Sequence, residues 1–567
     1  MLNRCIAVFI GALNWLARLH ACVRWRIVHK LGTMEEDTRT DGTAPTEEVN
    51  GVADGEGIPG PEMVMFEGET YEVVEFDDDE DPGEDDESSQ GGDYDNVEED
   101  LGEGFDSMAL DGDDGDSEQQ GEAGPDVSLA TLGGHADSVY SVAMHRDSAS
   151  GKIRALTGGG DDVGMLWRLD VMPTDESDTT AAAASSGAAG GGSSSESAAG
   201  FTAESAFPNP GFTVAPTPVA TLGGHTDSVG AVAFSCDGSL CATGGLDGIV
   251  QVWDSDTGSL KRSLEGPSDV EWLKWHSKGN VLLCGSSDGT VWMWLATTGA
   301  CMQVFAGHEG AVTCGLFTPD GRAVVTGGAD ATVRIWAPKK GTCKHVFQGH
   351  GFHDGGVTCL AAHPLFDATG AAAENSSGGD NAEHSLVASG AEDGHVKLMH
   401  VGTKKVVASF NHSVGAKDAG ASIVGAPEAS GEAFSVEAVG LCGAQPWLAS
   451  AGIDGTAKVW DVTTGRLRQT LNHPRSGAVT KLAWHEHSPL LVTAAGDGVV
   501  RCWDARTGGD PIAEMQGHKD MVVDLATCFG PDRRSMPAGS PAGAFPDLLL
   551  TACDDRTAKV WSVPSLS

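Results

Sequence analysis

Histidine, aspartate and a hydroxyl residue recur in this chain at spacings that could do chemistry. A His held by a carboxylate can take the proton of a Ser or Thr hydroxyl and turn it into a nucleophile. His225, Thr243 and Asp247 supply those three side chains, as do His308, Thr326 and Asp330, and again His518, Thr551 and Asp555. A hydrolase needs such a set once. Here each set is followed, six residues after its Asp, by a tryptophan: Trp253, Trp336 and Trp561. The same Asp recurs at Asp161, Asp288, Asp393, Asp454 and Asp497, and a hydroxyl residue stands four before it at Thr157, Ser389, Ser450 and Thr493. Upstream turn histidines are His135, His350 and His473. A buried indole N–H needs an acceptor, which the hydroxyl provides, while His bonds the hydroxyl and Asp holds the His. Repetition in register makes this a structural relay. We therefore expect no catalytic residue, no cofactor and no metal site, and a protein that is not an enzyme.

Three units depart from the pattern. The third has Pro267 in place of His and Cys284 in place of the hydroxyl. The fifth closes on Met399 instead of Trp, and the sixth has its His displaced or absent, the nearest being His412. These units are expected to be looser.

The elements that position these residues are short. Val219 to Asp254 reads as four apolar runs separated by Gly224-His225, Cys236-Asp237-Gly238 and Asp247-Gly248, which favours antiparallel strands over helix. One such unit cannot bury its own faces. Closing residues at 167, 253, 294, 336, 399, 460, 503 and 561 lie 41 to 43 residues apart where nothing is inserted, the period of a WD40 repeat. The expected fold is an all-β, eight-bladed WD40 propeller over 127–567, its last blade completed by the strand at 127–132 so that no edge is left bare. Insertions at 172–218, 366–384 and 529–546 fall on one face, called the bottom. That at 411–434 falls on the top, where the His and Asp turns lie.

Charge is unevenly spread. The net charge is −47, and 36 acids against one base lie between Glu35 and Asp126. The arm at 34–126 is expected to be disordered, with Pro61–Phe66 and Tyr71–Phe76 as an island able to form an edge strand or recognition segment. Such a balance argues against nucleic acid as a direct partner. Residues 1–33 carry five bases and no acid. They read as a targeting segment, an anchor or a non-native start before Met34, and organelle targeting stays open. No apolar run reaches 18 residues, so no membrane partner is expected. The 13 cysteines show no CxxC pair and read as buried apolar residues of a reducing compartment. The expected setting is a monomer in the cytoplasm, with the nucleus open.

Acids gather on the top turns. Asp137, Asp227, Asp269, Glu271, Asp354 and Asp520 follow the His turn or its Pro267 equivalent, and Glu392 and Asp554 precede the turn Asp. Singly each is a solvated turn residue. As a ring they would focus a negative potential on a basic protein segment, with Trp272 beside them.

Asp269-Val-Glu-Trp-Leu-Lys-Trp-His276 with Ser287–Trp294, Thr157–Asp162, Leu166–Leu169, Gly321–Thr326, Ser435–Cys442 and the leader Tyr71–Asp77 resemble the angio-associated migratory cell protein family, from about residue 61 onward. The resemblance implies a non-catalytic eight-bladed propeller. It also implies the role of the fungal counterpart, a dedicated chaperone that binds the basic N-terminal segment of one large-subunit ribosomal protein. Animal members are linked to cell migration, which an acidic propeller does not explain physically. The basic start and the Ala/Gly/Ser tract depart from the family. Two other readings remain: a general scaffold, and a cullin-ligase substrate receptor, since Trp503-Asp-Ala-Arg506 resembles the WDxR used to dock on a ligase adaptor.

Overall fold

The computed structural model describes residues 63–66, 69–72, 126–148, 150–173, 212–367, 385–413, 434–473, 477–530, 546–564 and 566. Eight four-stranded antiparallel sheets account for residues 130–562, and no helix occurs among the described residues. In seven sheets the strands pair in chain order; the eighth runs Ala130–Leu132, Ala558–Ser562, Leu548–Cys553, Val522–Cys528. The first strands of the sheets, such as Val139–Arg146, Val229–Phe234 and Val270–Trp275, each lie against the first strand of the next sheet, and Val522–Cys528 returns to Val139–Arg146. The sheets are therefore the blades of a closed eight-bladed propeller.

The closure takes the form the apolar stretch at 127–132 implied. Ala130 pairs with Val560 and Leu132 with Ala558, and Leu132 is 1% exposed. Asp126 forms an ion pair with Lys559, and the Val127 N–H donates to the Gln516 carbonyl at 3.0 Å.

Core residues lie between blades. Eight buried apolar clusters each join residues of two consecutive blades, the last joining blade eight to blade one. The closing residue of every blade packs on the preceding blade: Trp294 against Ala242 and Val252, Trp336 against Leu283 and Val291. Met399 takes the same place against Val325 and Ile335. Thus apolar volume at that position holds the ring, and the indole N–H is an addition.

The insertions are shorter than expected at their ends. Met172 pairs with Thr213 and Pro173 with Phe212, so strands of blade one run on into the first of them. Asp367 pairs with Ser385, Asn411 ends a strand of blade five, and the Gly530 N–H donates to Asp547 at 2.7 Å. The centres of all four insertions lie outside the described residues, as do residues 1–33 and most of the acidic arm. The island within that arm is a hairpin, Met63–Phe66 paired with Glu69–Glu72, so strand forms there with its second run starting before Tyr71.

A carboxylate-bearing face around the channel mouth

Each relay ties a His turn to an Asp turn, and this puts both on one end of the blade. In blade two His225 Nδ1 lies 3.2 Å from the Asp247 carboxylate and Nε2 lies 2.9 Å from Thr243 Oγ1. The Trp253 N–H donates to that oxygen at 3.0 Å. The same contacts occur at His308, Thr326, Asp330 and Trp336, at His518, Thr551, Asp555 and Trp561, and at His135, Thr157, Asp161 and Trp167. A Cβ on Gly245 would stand 2.3 Å from Asp247 and 2.6 Å from His225, so in blade two a side chain there would crowd the relay. The hydroxyls of all seven such residues are fully buried and bonded. None can meet a substrate.

Two histidines differ from expectation. In blade five the relay uses His353, 3.2 Å from Asp393 and 2.8 Å from Ser389, while His350 is exposed. Both follow Phe347 in an irregular turn, and spacing alone did not separate them. Blade six has a full relay, because His412 fills the place with its ring reversed: Nδ1 meets Ser450 at 2.8 Å and Nε2 meets Asp454 at 3.3 Å. The insertion that follows His412 had hidden it. Blade seven adds Arg501, whose guanidinium stands between His473 Nδ1 (2.9 Å) and Asp497 (2.7 Å) and also reaches Glu514. His473 must then donate from Nε2 to Thr493, the opposite tautomer to blades one, two, four and eight. Burial, with Arg501 second, holds its pKa down at about 4.

Most of the described thiols are at least partly buried. Of the described cysteines only Cys236 and Cys343 are exposed, and burial pushes Cys241 and Cys359 up to about 12. His518, Cys553 and Asp555 approach one another as metal ligands could, but His518 is committed to Thr551 and Asp555, and Cys553 Sγ meets the Asp520 carbonyl at 3.1 Å.

The anticipated acids do share the relay end. Asp137, Asp354, Glu392 and Asp520 are exposed, and Asp227, Asp269 and Asp554 are half-buried. Part of their capacity serves the turns. Asp137, Asp227 and Asp520 accept the next residue's N–H at 2.8, 2.7 and 2.9 Å. Asp269 accepts from Ser287, and Glu392 from the Gly356 N–H. Trp272 does not belong with them. It is 8% exposed, donates to the Val312 carbonyl at 2.8 Å and wedges between blades three and four. Strand alternation, broken by a bulge at Val270/Trp272, turns it inward while Glu271 faces water.

Two carboxylates escaped the sequence reading. Glu309 is exposed on the His turn of blade four, directly after His308 and one position earlier than Asp137, Asp227 and Asp520 stand in their turns. Glu437 follows Val436 as Glu271 follows Val270, placing both at the mouth of the central channel. Confinement among protein atoms raises both carboxyls above their ordinary range, with Asp269 adding repulsion at Glu271. Arg506, the proposed adaptor contact, is gripped by Asp504 of its own blade at 2.8 and 3.0 Å.

The "WD domain, G-beta repeat" family model matches residues 216–254, 258–294, 299–337, 341–399, 429–461, 465–504 and 509–562. The human angio-associated migratory cell protein is 33% identical over 440 residues, 78% of this chain and 81% of that protein. The chain belongs to the angio-associated migratory cell protein family of WD-repeat propellers. The fold of Sqt1 from Saccharomyces cerevisiae is similar, with TM-score 0.58 and 18% identity over 77% of this chain and 99% of that one. So is that of Sqt1 from Chaetomium thermophilum bound to the N-terminus of the ribosomal protein L10, with TM-score 0.54 and 20% identity over 77% and 100%. Family membership accounts for the relays as repeat architecture. It leaves the mouth carboxylates Glu271 and Glu437 outside that architecture, since nothing in a relay requires them.

Proposed function

We propose that this chain is a non-catalytic escort for a basic protein segment, that of a large-subunit ribosomal protein, held across the carboxylate-bearing face in the cytoplasm. The observation that carries the reading is the placement of Glu271 and Glu437 at the channel mouth within a rim of turn carboxylates. A cation brought between confined like charges relieves their repulsion, so a Lys or Arg side chain gains more there than at an isolated surface acid. The binding of the L10 N-terminus by a Sqt1 propeller of similar fold supports this class of partner. An acidic protein of charge −47 would repel nucleic acid and favour a polycation.

The test is fluorescence anisotropy of the full chain with a labelled peptide copying the N-terminus of ribosomal protein L10. Binding should weaken at least tenfold in the Glu271→Lys, Glu437→Lys double variant and fall with added salt. A double variant that keeps the fold and binds as tightly as the parent would sink the reading.

A further inference from the structure

Below the acidic mouth the channel changes sign. A cavity of about 620 Å³ runs between blades eight, one, two and three, lined by Glu271, Lys274, Lys481 and Asp524 among others. Lys274 follows Glu271 by three residues on Val270–Trp275, so it sits roughly 10 Å deeper. Lys481 enters from blade seven, and its charge is felt by Lys274, by Glu437 in blade six and by the thiols of Cys314 and Cys359 in blades four and five. Both lysine side chains are exposed to the cavity. Neither forms a salt bridge or hydrogen bond among the described residues. Asp524 does not neutralise them by contact, because its carboxylate accepts from the Val142 N–H at 3.0 Å and from Ser141 at 3.3 Å. Enclosure by the channel wall holds the Lys274 ammonium below its usual range, the Asp524 charge acting against this and the Lys481 charge adding to it.

We propose that Lys274 and Lys481 form a cationic stop inside the channel, which confines a basic segment to the mouth and the top face and prevents it from threading the ring. The inference rests on the partner reading above. Carboxylates at the rim attract the segment, while the ammonium pair in a narrow, poorly screened space repels any Lys or Arg that passes Glu271. The stop therefore sets the depth and the path of the bound chain. It selects segments that can lie across the face.

The experiment uses the full chain and the same labelled L10 N-terminal peptide. Lys274→Gln with Lys481→Gln should tighten binding at least tenfold, and the Lys274→Arg, Lys481→Arg pair should bind as the parent does. A photo-crosslinking peptide should react with the parent only at turn and mouth residues, and in the Gln pair also at Trp275, next after Lys274, and at Trp484, three residues beyond Lys481 on its strand Val479–Trp484. Equal or weaker binding by a Gln pair that melts like the parent overturns the stop, as do crosslinks to Trp275 or Trp484 in the parent itself. Failure of the parent to bind the peptide at all overturns the partner reading instead. The crosslinking arm on the parent needs no variant, so a misfolded double variant leaves the test intact.

Discussion

Thr243 sits at the junction of two hydrogen bonds that have no other outlet, the Trp253 indole and the His225 ring. Thr243→Val keeps the shape and strands both groups in the core, at a cost of about 2–4 kcal/mol. Ser389→Ala in blade five strands only His353, since Met399 has no N–H to place, and should cost about half as much. Urea unfolding of the two variants checks the ratio. His473 behaves differently because Arg501 occupies its acceptor side. Its folded pKa of about 4 lies below the unfolded value of about 6.5, so the unfolded state takes up the proton first. Stability is therefore full above about pH 6.5 and is lost as pH falls toward 4, by up to roughly 3 kcal/mol from this group. Arg501→Gln should raise the His473 pKa, as read by NMR titration of the imidazole.

At the scale of strands and blades, most of the architecture was legible. Four short strands per unit, the closing Trp and the completing strand all follow from period and turn residues, because a blade that cannot bury itself must repeat. What escaped was the identity of a side chain wherever an irregular turn or insertion broke the count. His350 holds the expected place where His353 acts, His412 lies ahead of a long insertion, and Glu437 lies just behind it. Trp272 was misplaced because a bulge shifts the alternation by one. The candidate site was thus readable at its turns and unreadable at the channel wall. Deleting residues 127–133 removes Leu132 from its pocket and bares the edge of Ala558–Ser562. The melting temperature should fall by roughly 10 °C or more; an unchanged calorimetric trace would refute the closure.

The whole molecule carries carboxylates at one end and two lysines in the channel below it. Glu271 and Glu437 have carboxyls raised by confinement, so they lose charge earlier on acidification than exposed acids do. Affinity for a basic peptide should hold at neutral pH and begin to fall on acidification before the other surface acids titrate. Anisotropy across that range, repeated with Glu271→Gln and Glu437→Gln, separates the mouth from the rim: the double variant should bind weakly and vary little with pH.

The strand that seals the ring sets a clock on biosynthesis. Thr131 and its partner Lys559 are 428 residues apart in sequence. At ordinary elongation rates of about 5–20 residues per second, a ribosome takes roughly 20 to 90 s to travel between them. Throughout that interval the first blade lacks the eighth as its neighbour, and the strand Ala130–Leu132 waits unpaired. Early blades can stack as they emerge, but the circle cannot shut until its last strand is made. A nascent chain of this protein is itself, for that time, a client in need of shelter.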